Sequence, residues 1–150
     1  MSGVILGESP LIPDGTYTVQ YTHYETGGGW KSYKVMAHFA VVNGEYAGTP
    51  LTRYYNVEKL ESRPGKNGEY SVSDRRLLVR EFRALLPDMA GEGAVDLNVY
   101  KDKLIRAEVV TVGKDGLGQE LSQASRYSRI KRLIEIIPDD YSVLFESSPN

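Results

Sequence analysis

The chain has no cysteine in its 150 residues. That excludes a disulfide framework, a thiolate nucleophile and any zinc site built on cysteine. Histidine is almost as scarce, with only His23 and His38 present, too few for a His-rich metal site or a dense acid–base centre. No run of 18 apolar residues occurs, so no segment reads as a membrane-spanning helix. The opening residues Met1–Glu8 lack the basic n-region and the longer apolar stretch of a secretory signal. A soluble, cytoplasmic protein is the expectation.

An enzyme reading finds nothing to build on. Nucleophilic catalysis by serine or threonine needs a histidine and an acid, and neither histidine sits in such a motif. The carboxylates are scattered through loops and turns, without the paired spacing of a metal nuclease. The glycines at 27–29 are not followed by the lysine and hydroxyl residue of a phosphate-cradling loop. No catalytic residue, cofactor or metal is expected, and His38 reads as a surface residue and not a ligand.

What remains is tyrosine, glycine and one dense patch of positive charge. A length of 150 residues suits one domain with a core of its own. Eleven tyrosines stand against one tryptophan and three phenylalanines; tyrosine suits both strands and recognition surfaces. The net charge is −2, but residues 139–150 hold three acidic residues and no basic one. Taking those three negative charges away leaves +1 on residues 1–138. A near-neutral body with an acidic tail permits a local basic groove, and distribution counts for more than the sum.

The basic patch is Ser125–Arg132, where Arg126, Arg129, Lys131 and Arg132 surround Tyr127 and lead into Leu133–Ile137. Alternate side chains of a strand share a face. Tyr127, Arg129 and Lys131 would point one way, Ile130, Ile134 and Ile136 the other, with Arg132 on the isoleucine side as a rim. Cations neutralise phosphates and a flat ring stacks on a base. The competing reading is a solvated, charged edge that guards a sheet against aggregation.

Along the chain, residues 1–14 read as an irregular arm ending in Pro13-Asp14-Gly15. Residues 15–24 alternate as a half-buried strand, with Tyr17, Val19 and Tyr21 on one face. A flexible loop over 25–32 leads to a second strand, 33–42, with Val35, Ala37, Phe39 and Val41 inward. Asn43-Gly44 signals a turn, and a third strand covers 49–57. Residues 58–72 read as a polar loop. A helix follows, capped by Ser73 and stopped by Pro87, with Leu77, Leu78, Phe82, Leu85 and Leu86 as its apolar stripe. Residues 97–100 read as a short strand or turn, 103–112 as a strand, and 125–137 as the last strand. The expected fold is mainly β with one helix: a five-stranded antiparallel OB-like β-barrel over residues 15–137, the helix between strands three and four. Other α+β sheets satisfy the same order. Residues 138–150 read as an acidic, flexible tail.

The framework Gly15-x-Tyr17, then Phe39-x-Val41-Val42-Asn43-Gly44-Glu45-Tyr46-x-Gly48, then Arg53-Tyr54-Tyr55-Asn56, resembles the opening of small bacteriophage- and prophage-encoded single-stranded DNA-binding proteins. The likeness extends over about residues 13–137 and rests mostly on turn glycines and core aromatics. It implies an OB barrel and single-stranded DNA binding in replication, recombination or repair of a mobile element. The tail, with Asp139, Asp140 and Phe145, loosely resembles the acidic tails by which bacterial proteins of this kind recruit replication and recombination partners. It departs from them in that Phe145 is not terminal.

Three further places join Arg126, Tyr127, Arg129 and Lys131 as binding candidates. Trp30 and Lys31 in the glycine loop offer a stacking ring beside a phosphate partner, unless Trp30 folds back as a lid. Lys34 faces outward on the second strand. On the third strand Arg53 shares the parity of Leu51, Tyr55 and Val57, which would put a guanidinium inside; a bulge or an edge position would instead expose it beside Tyr54 as a stacking platform. Two other functions stay open: a protein–protein module such as a phage- or plasmid-encoded inhibitor or virion component, and an RNA-binding OB domain. Homo-oligomerisation stays open as well.

Overall fold

Period-two patterning produces strands where it is cleanest. The computed structural model describes residues 10–28, 32–89, 95–114 and 117–138. Its strands are β1 (Gly15–Gly28), β2 (Tyr33–Val41), β3 (Pro50–Val57), the short β4 (Lys59–Leu60), β5 (Gly65–Lys66) and β6 (Tyr70–Ser71), then β7 (Leu104–Val112) and β8 (Tyr127–Ile137). One helix, α1 (Leu77–Leu85), stands between β6 and β7. The long strands form an antiparallel sheet in the order β3-β2-β1-β7-β8; β5 adds to β1, and β4 and β6 make a separate hairpin. Mainly β with one helix is therefore the architecture. No helix among the described residues is long and apolar enough to cross a membrane.

The inward faces of these strands make one core. Val19 and Tyr21 from β1, Val35, Ala37, Phe39 and Val41 from β2, and Leu51, Tyr55 and Val57 from β3 are all buried. Ile105, Ala107 and Val109 from β7 meet Ile130 and Leu133 from β8. Residues 97–100 form a 3-10 turn whose first amides are capped when Asp96 Oδ1 accepts from Asn98 N at 3.0 Å. The turn drives Leu97 and Tyr100 fully into the core, where Tyr100 packs edge-on against Tyr21. The Asn43-Gly44 turn forms as read, and Gly44 takes the left-handed φ of 81° that favours glycine there.

The helix starts later than its sequence suggests. Ser73 Oγ accepts from Arg75 N, and the cap position falls to Arg76, whose side chain caps no helical amide and donates to Glu58 instead. The start at Leu77 leaves that residue 50 % exposed and turns Leu78, Val79, Glu81 and Phe82 inward. Pro87 follows the last helical bond, Leu86 N to Phe82 O, as expected.

Three other readings are corrected. The sheet is not closed into a barrel: β3 and β8 lie side by side across a seam, and no ladder joins them among the described residues. Two amides of β8 are bonded elsewhere, Ser128 N to Pro10 O and Leu133 N to Glu81 Oε2. The loop read over 25–32 begins as strand, since Glu25 pairs with Met36 and Gly28 with Tyr33, and residues 29–31 lie outside the described ones. Residues 58–72 also hold structure, the β4–β6 hairpin and β5. The arm is irregular over 10–13 but anchored. Ile12 is buried, and its N–H and carbonyl both bond the Ser128 hydroxyl.

Candidate nucleic-acid interface

The seam between β3 and β8 has two faces of opposite character. On the inner one, Arg53 is 4 % exposed and points into the core with Leu51 and Tyr55. Its Nε and one terminal nitrogen both donate to the carboxylate of Glu81, each at 3.0 Å. The Tyr55 hydroxyl donates to the same carboxylate, and Leu133 N–H donates to it at 3.1 Å. The Arg53 guanidinium also lies over the Tyr55 ring, 4.6 Å from its centroid. One helical carboxylate thus joins β3 to β8 where no ladder does. Four donors and a paired cation are what a buried carboxylate requires. Burial, with Glu81 next in effect, pushes the Tyr55 hydroxyl far above its ordinary pKa. Arg53 as an exposed groove residue is therefore corrected: the parity of the strand holds, and Glu81 makes it tolerable.

On the outer face no ion pair joins the two strands among the described residues, and the rings of Tyr54 and Tyr127 are half-buried. Thr52 and Tyr54 of β3 and Tyr127 of β8, with Pro10, Pro50 and Ser128, line a cleft of about 290 Å³. That is near the lower bound of ordinary ligand pockets, about 300–1,000 Å³, and suits a ring system better than a large cofactor. The Tyr54 hydroxyl is pushed up in pKa, chiefly by burial and then by the Tyr127 hydroxyl, while a hydrogen bond with Thr52 and, after it, Arg129 oppose the shift. Tyr54, Tyr127 and Arg129 are thus electrostatic neighbours, and each is half-buried.

Cations along the basic strand sort into two kinds. Arg126 lies against the loop after β7, with Nε 3.5 Å from Leu121 O and a terminal nitrogen 3.8 Å from Glu120. Arg132 meets the Glu108 carboxylate directly across the ladder at 2.7 Å, beside a second cross-strand pair, Arg106 with Glu135, also at 2.7 Å. Arg129 and Lys131 form no ion pair among the described residues, and Lys131 is exposed. On β2, Lys34 is half-buried and donates to Asn56 Oδ1 at 3.0 Å.

Two bulges decide which β8 side chains share a face. Glu108 pairs with Arg132 but Val109 pairs with Ile130, leaving Lys131 as an extra residue; Ile134 is extra in the same way. A bulge reverses the parity of everything beyond it. Tyr127 and Arg129 face outward as read, opposite Ser128 and Ile130. Beyond Lys131 the strict alternation fails: Leu133 is buried, Ile134 is only half-buried, and Arg132 is exposed instead of rimming the core.

A third cluster lies on the outer faces of β1 and β2, where sequence alone reads His38 as an isolated surface residue and does not bring His23 and Glu25 to it. His23, Glu25 and His38 bring a ring nitrogen, a carboxylate oxygen and a second ring nitrogen within 4.8 Å of one another. The two imidazoles stack at 4.6 Å between centroids. His38 Nε2 is 2.7 Å from Glu25 Oε2, and its Nδ1 is 3.1 Å from Thr52 Oγ1. His23 is displaced to a lower pKa, first by burial and then by His38 and Lys66, with Glu25 opposing. A strict alternation from Tyr21 would place His23 inward. A bulge at Thr22 turns it out, and no residue in the sequence announces that bulge.

Of the candidates read from sequence, the fold groups Tyr54 and Tyr127 at one cleft, sets Arg129 close enough to act on the Tyr54 hydroxyl, and places Lys131 further along the strand of Tyr127 and Arg129. It separates Arg53 onto the inner face and engages Arg126 with a loop. Trp30, Lys31, Asp139, Asp140 and Phe145 lie outside the described residues. Compared with family models, curated proteins and solved structures, this chain matches none.

Proposed function

We propose that this protein binds single-stranded DNA, without catalysis and with little sequence preference, on the outer face of the β3–β8 seam. One observation carries the reading: Tyr54 and Tyr127, from strands remote in sequence, line a single cleft with the cation of Arg129 beside them. Stacking on a tyrosine tolerates any base because every base has a π-face, and a cation without a protein counter-charge is free to meet a phosphate. Lys131 and Lys34 extend the track. On this reading the sheet is an opened relative of the five-stranded OB architecture, with the seam standing where the closing strand pair would be. The likeness of residues 15–56 to phage and prophage single-stranded DNA-binding proteins supports the same assignment. It also suggests a setting in replication, recombination or repair of a mobile element, with residues 138–150 as a docking tail for protein partners.

The test is anisotropy of a labelled oligo-dT titrated with the full chain at low salt, repeated as salt is raised. Binding that weakens steeply with salt, and that deoxyribose oligomers compete for better than ribose ones, is the expected result. Absence of binding at low salt by a folded protein rejects the reading, and preference for ribose moves it to RNA.

A further inference from the structure

We propose that His23, Glu25 and His38 form a binding site for one divalent transition-metal ion of the zinc class. The strands deliver the three side chains by simple geometry. After the bulge at Thr22, His23 and Glu25 are two residues apart on β1 and face outward together. His38 is the ladder partner of His23, so the two imidazoles stand side by side and reach the same patch. Bulges of this kind commonly re-aim a side chain beside a functional site.

Hydrogen bonding sets each ring for ligation. Thr22 Oγ1 has a single hydrogen and donates it to His38 O at 3.1 Å. At 3.0 Å from His23 Nδ1 the same oxygen can then only accept. His23 is thereby held with its proton on Nδ1 and a free lone pair on Nε2, the form a metal takes. For His38, Thr52 Oγ1 offers Nδ1 an acceptor at 3.1 Å, while Nε2 lies against Glu25. A metal entering between Nε2 and the carboxylate replaces the proton they share. A hydroxyl oxygen behind each imidazole can accept the other ring N–H, the place a carboxylate, carbonyl or water ordinarily takes behind a metal-bound histidine.

The donor set selects the ion. Two imidazoles and one carboxylate suit zinc, nickel, copper or iron(II), and disfavour calcium and magnesium, which prefer all-oxygen surroundings. Bonds of about 2.0–2.2 Å hold donors roughly 3–3.5 Å apart. The widest pair, at most 4.8 Å, must close by roughly 1.5 Å. Glu25 is 40 % exposed at its side chain and His38 26 %, so rotamer adjustment suffices without moving the strands. Three protein ligands leave a coordination position open to water or to an anionic oxygen.

Untagged full-length protein titrated with Co²⁺ should develop d–d absorption saturating at one equivalent, and Zn²⁺ should displace it. His23→Ala, His38→Ala and Glu25→Gln should each weaken binding at least tenfold, with circular dichroism checking that each variant folds. A measurement on the unaltered chain guards against variants that do not: Zn²⁺ should shift the imidazole ¹⁵N resonances of both histidines at Nε2. Metal binding that survives all three substitutions overturns the site. So does a wild-type protein whose histidine resonances stay unmoved at millimolar Zn²⁺.

Discussion

Arg53 and Arg129 sit on the two strands that flank one seam, and their surroundings differ in every respect. Arg53 is enclosed, bidentate to Glu81 and stacked on Tyr55. Arg129 is half-buried beside two tyrosines, with no carboxylate paired to it among the described residues. The inner arginine is spent on the fold, because a buried guanidinium without its carboxylate could not be kept. The outer one contributes no such closure and keeps its charge available. On the proposed reading the contrast separates stability from recognition at this seam: the same residue type secures the strands from within and would offer a ligand contact from without.

The largest expected effect breaks the inner side. Glu81→Ala should cost about 3–5 kcal/mol, since it leaves a buried cation uncompensated and removes the acceptor of Tyr55 O–H and Leu133 N–H. For a domain of this length that lowers the melting temperature by roughly 6–20 °C. The double replacement Arg53→Met with Glu81→Leu should recover part of the loss, because apolar residues of similar volume often replace a buried pair at little cost. Chemical denaturation of the three proteins checks this; equal losses in the single and double variants would show that the charge pair itself matters little.

Next in size, Tyr54→Ala and Tyr127→Ala should each weaken oligo-dT binding by about 1–3 kcal/mol, or roughly 5- to 150-fold. Arg129→Ala with Lys131→Ala should lower affinity and flatten the salt dependence. Two lost phosphate contacts reduce the log–log slope by about 1.4 for a single strand. Anisotropy at several salt concentrations separates the two effects, because the tyrosine variants should leave the slope alone. If the slope is unchanged in the arginine–lysine variant, the outer face of β8 is only a solvated edge.

How much of this was legible in the sequence follows the range of the interactions involved. Alternation located the long strands and assigned Tyr54 and Tyr127 outward, because strand parity is local. The same parity put Arg53 inside. Its justification lies in Glu81, 28 residues away on a helix, so the sequence offered an unexplained charge where the fold has a matched one. Glu81 itself stood outside the apolar stripe read for the helix. The bulges at Thr22, Lys131 and Ile134 were invisible because they are fixed by register against neighbouring strands. One of them alone turns His23 outward to join Glu25 and His38. The open seam is likewise a tertiary result, depending on where Pro10 O and Glu81 meet the amides of β8.

The smallest expected effect sharpens the comparison most, because it concerns a third arginine, on the same strand as Arg129. Arg132 is exposed and meets Glu108 across the ladder at 2.7 Å. An exposed pair contributes about 0–1 kcal/mol, so Arg132→Ala should change stability by less than about 1 kcal/mol. Its charge is already matched by a neighbour on β7, and the bulge at Lys131 separates its register from that of Tyr127 and Arg129. Arg132→Ala should therefore leave both the affinity for oligo-dT and the salt slope within error, while Glu108→Ala, by freeing a cation, should if anything raise the slope. Were Arg132→Ala to weaken binding as much as Arg129→Ala, positive charge on β8 would act as a diffuse field, and neither the bulge nor the pairing would distinguish one arginine from the other.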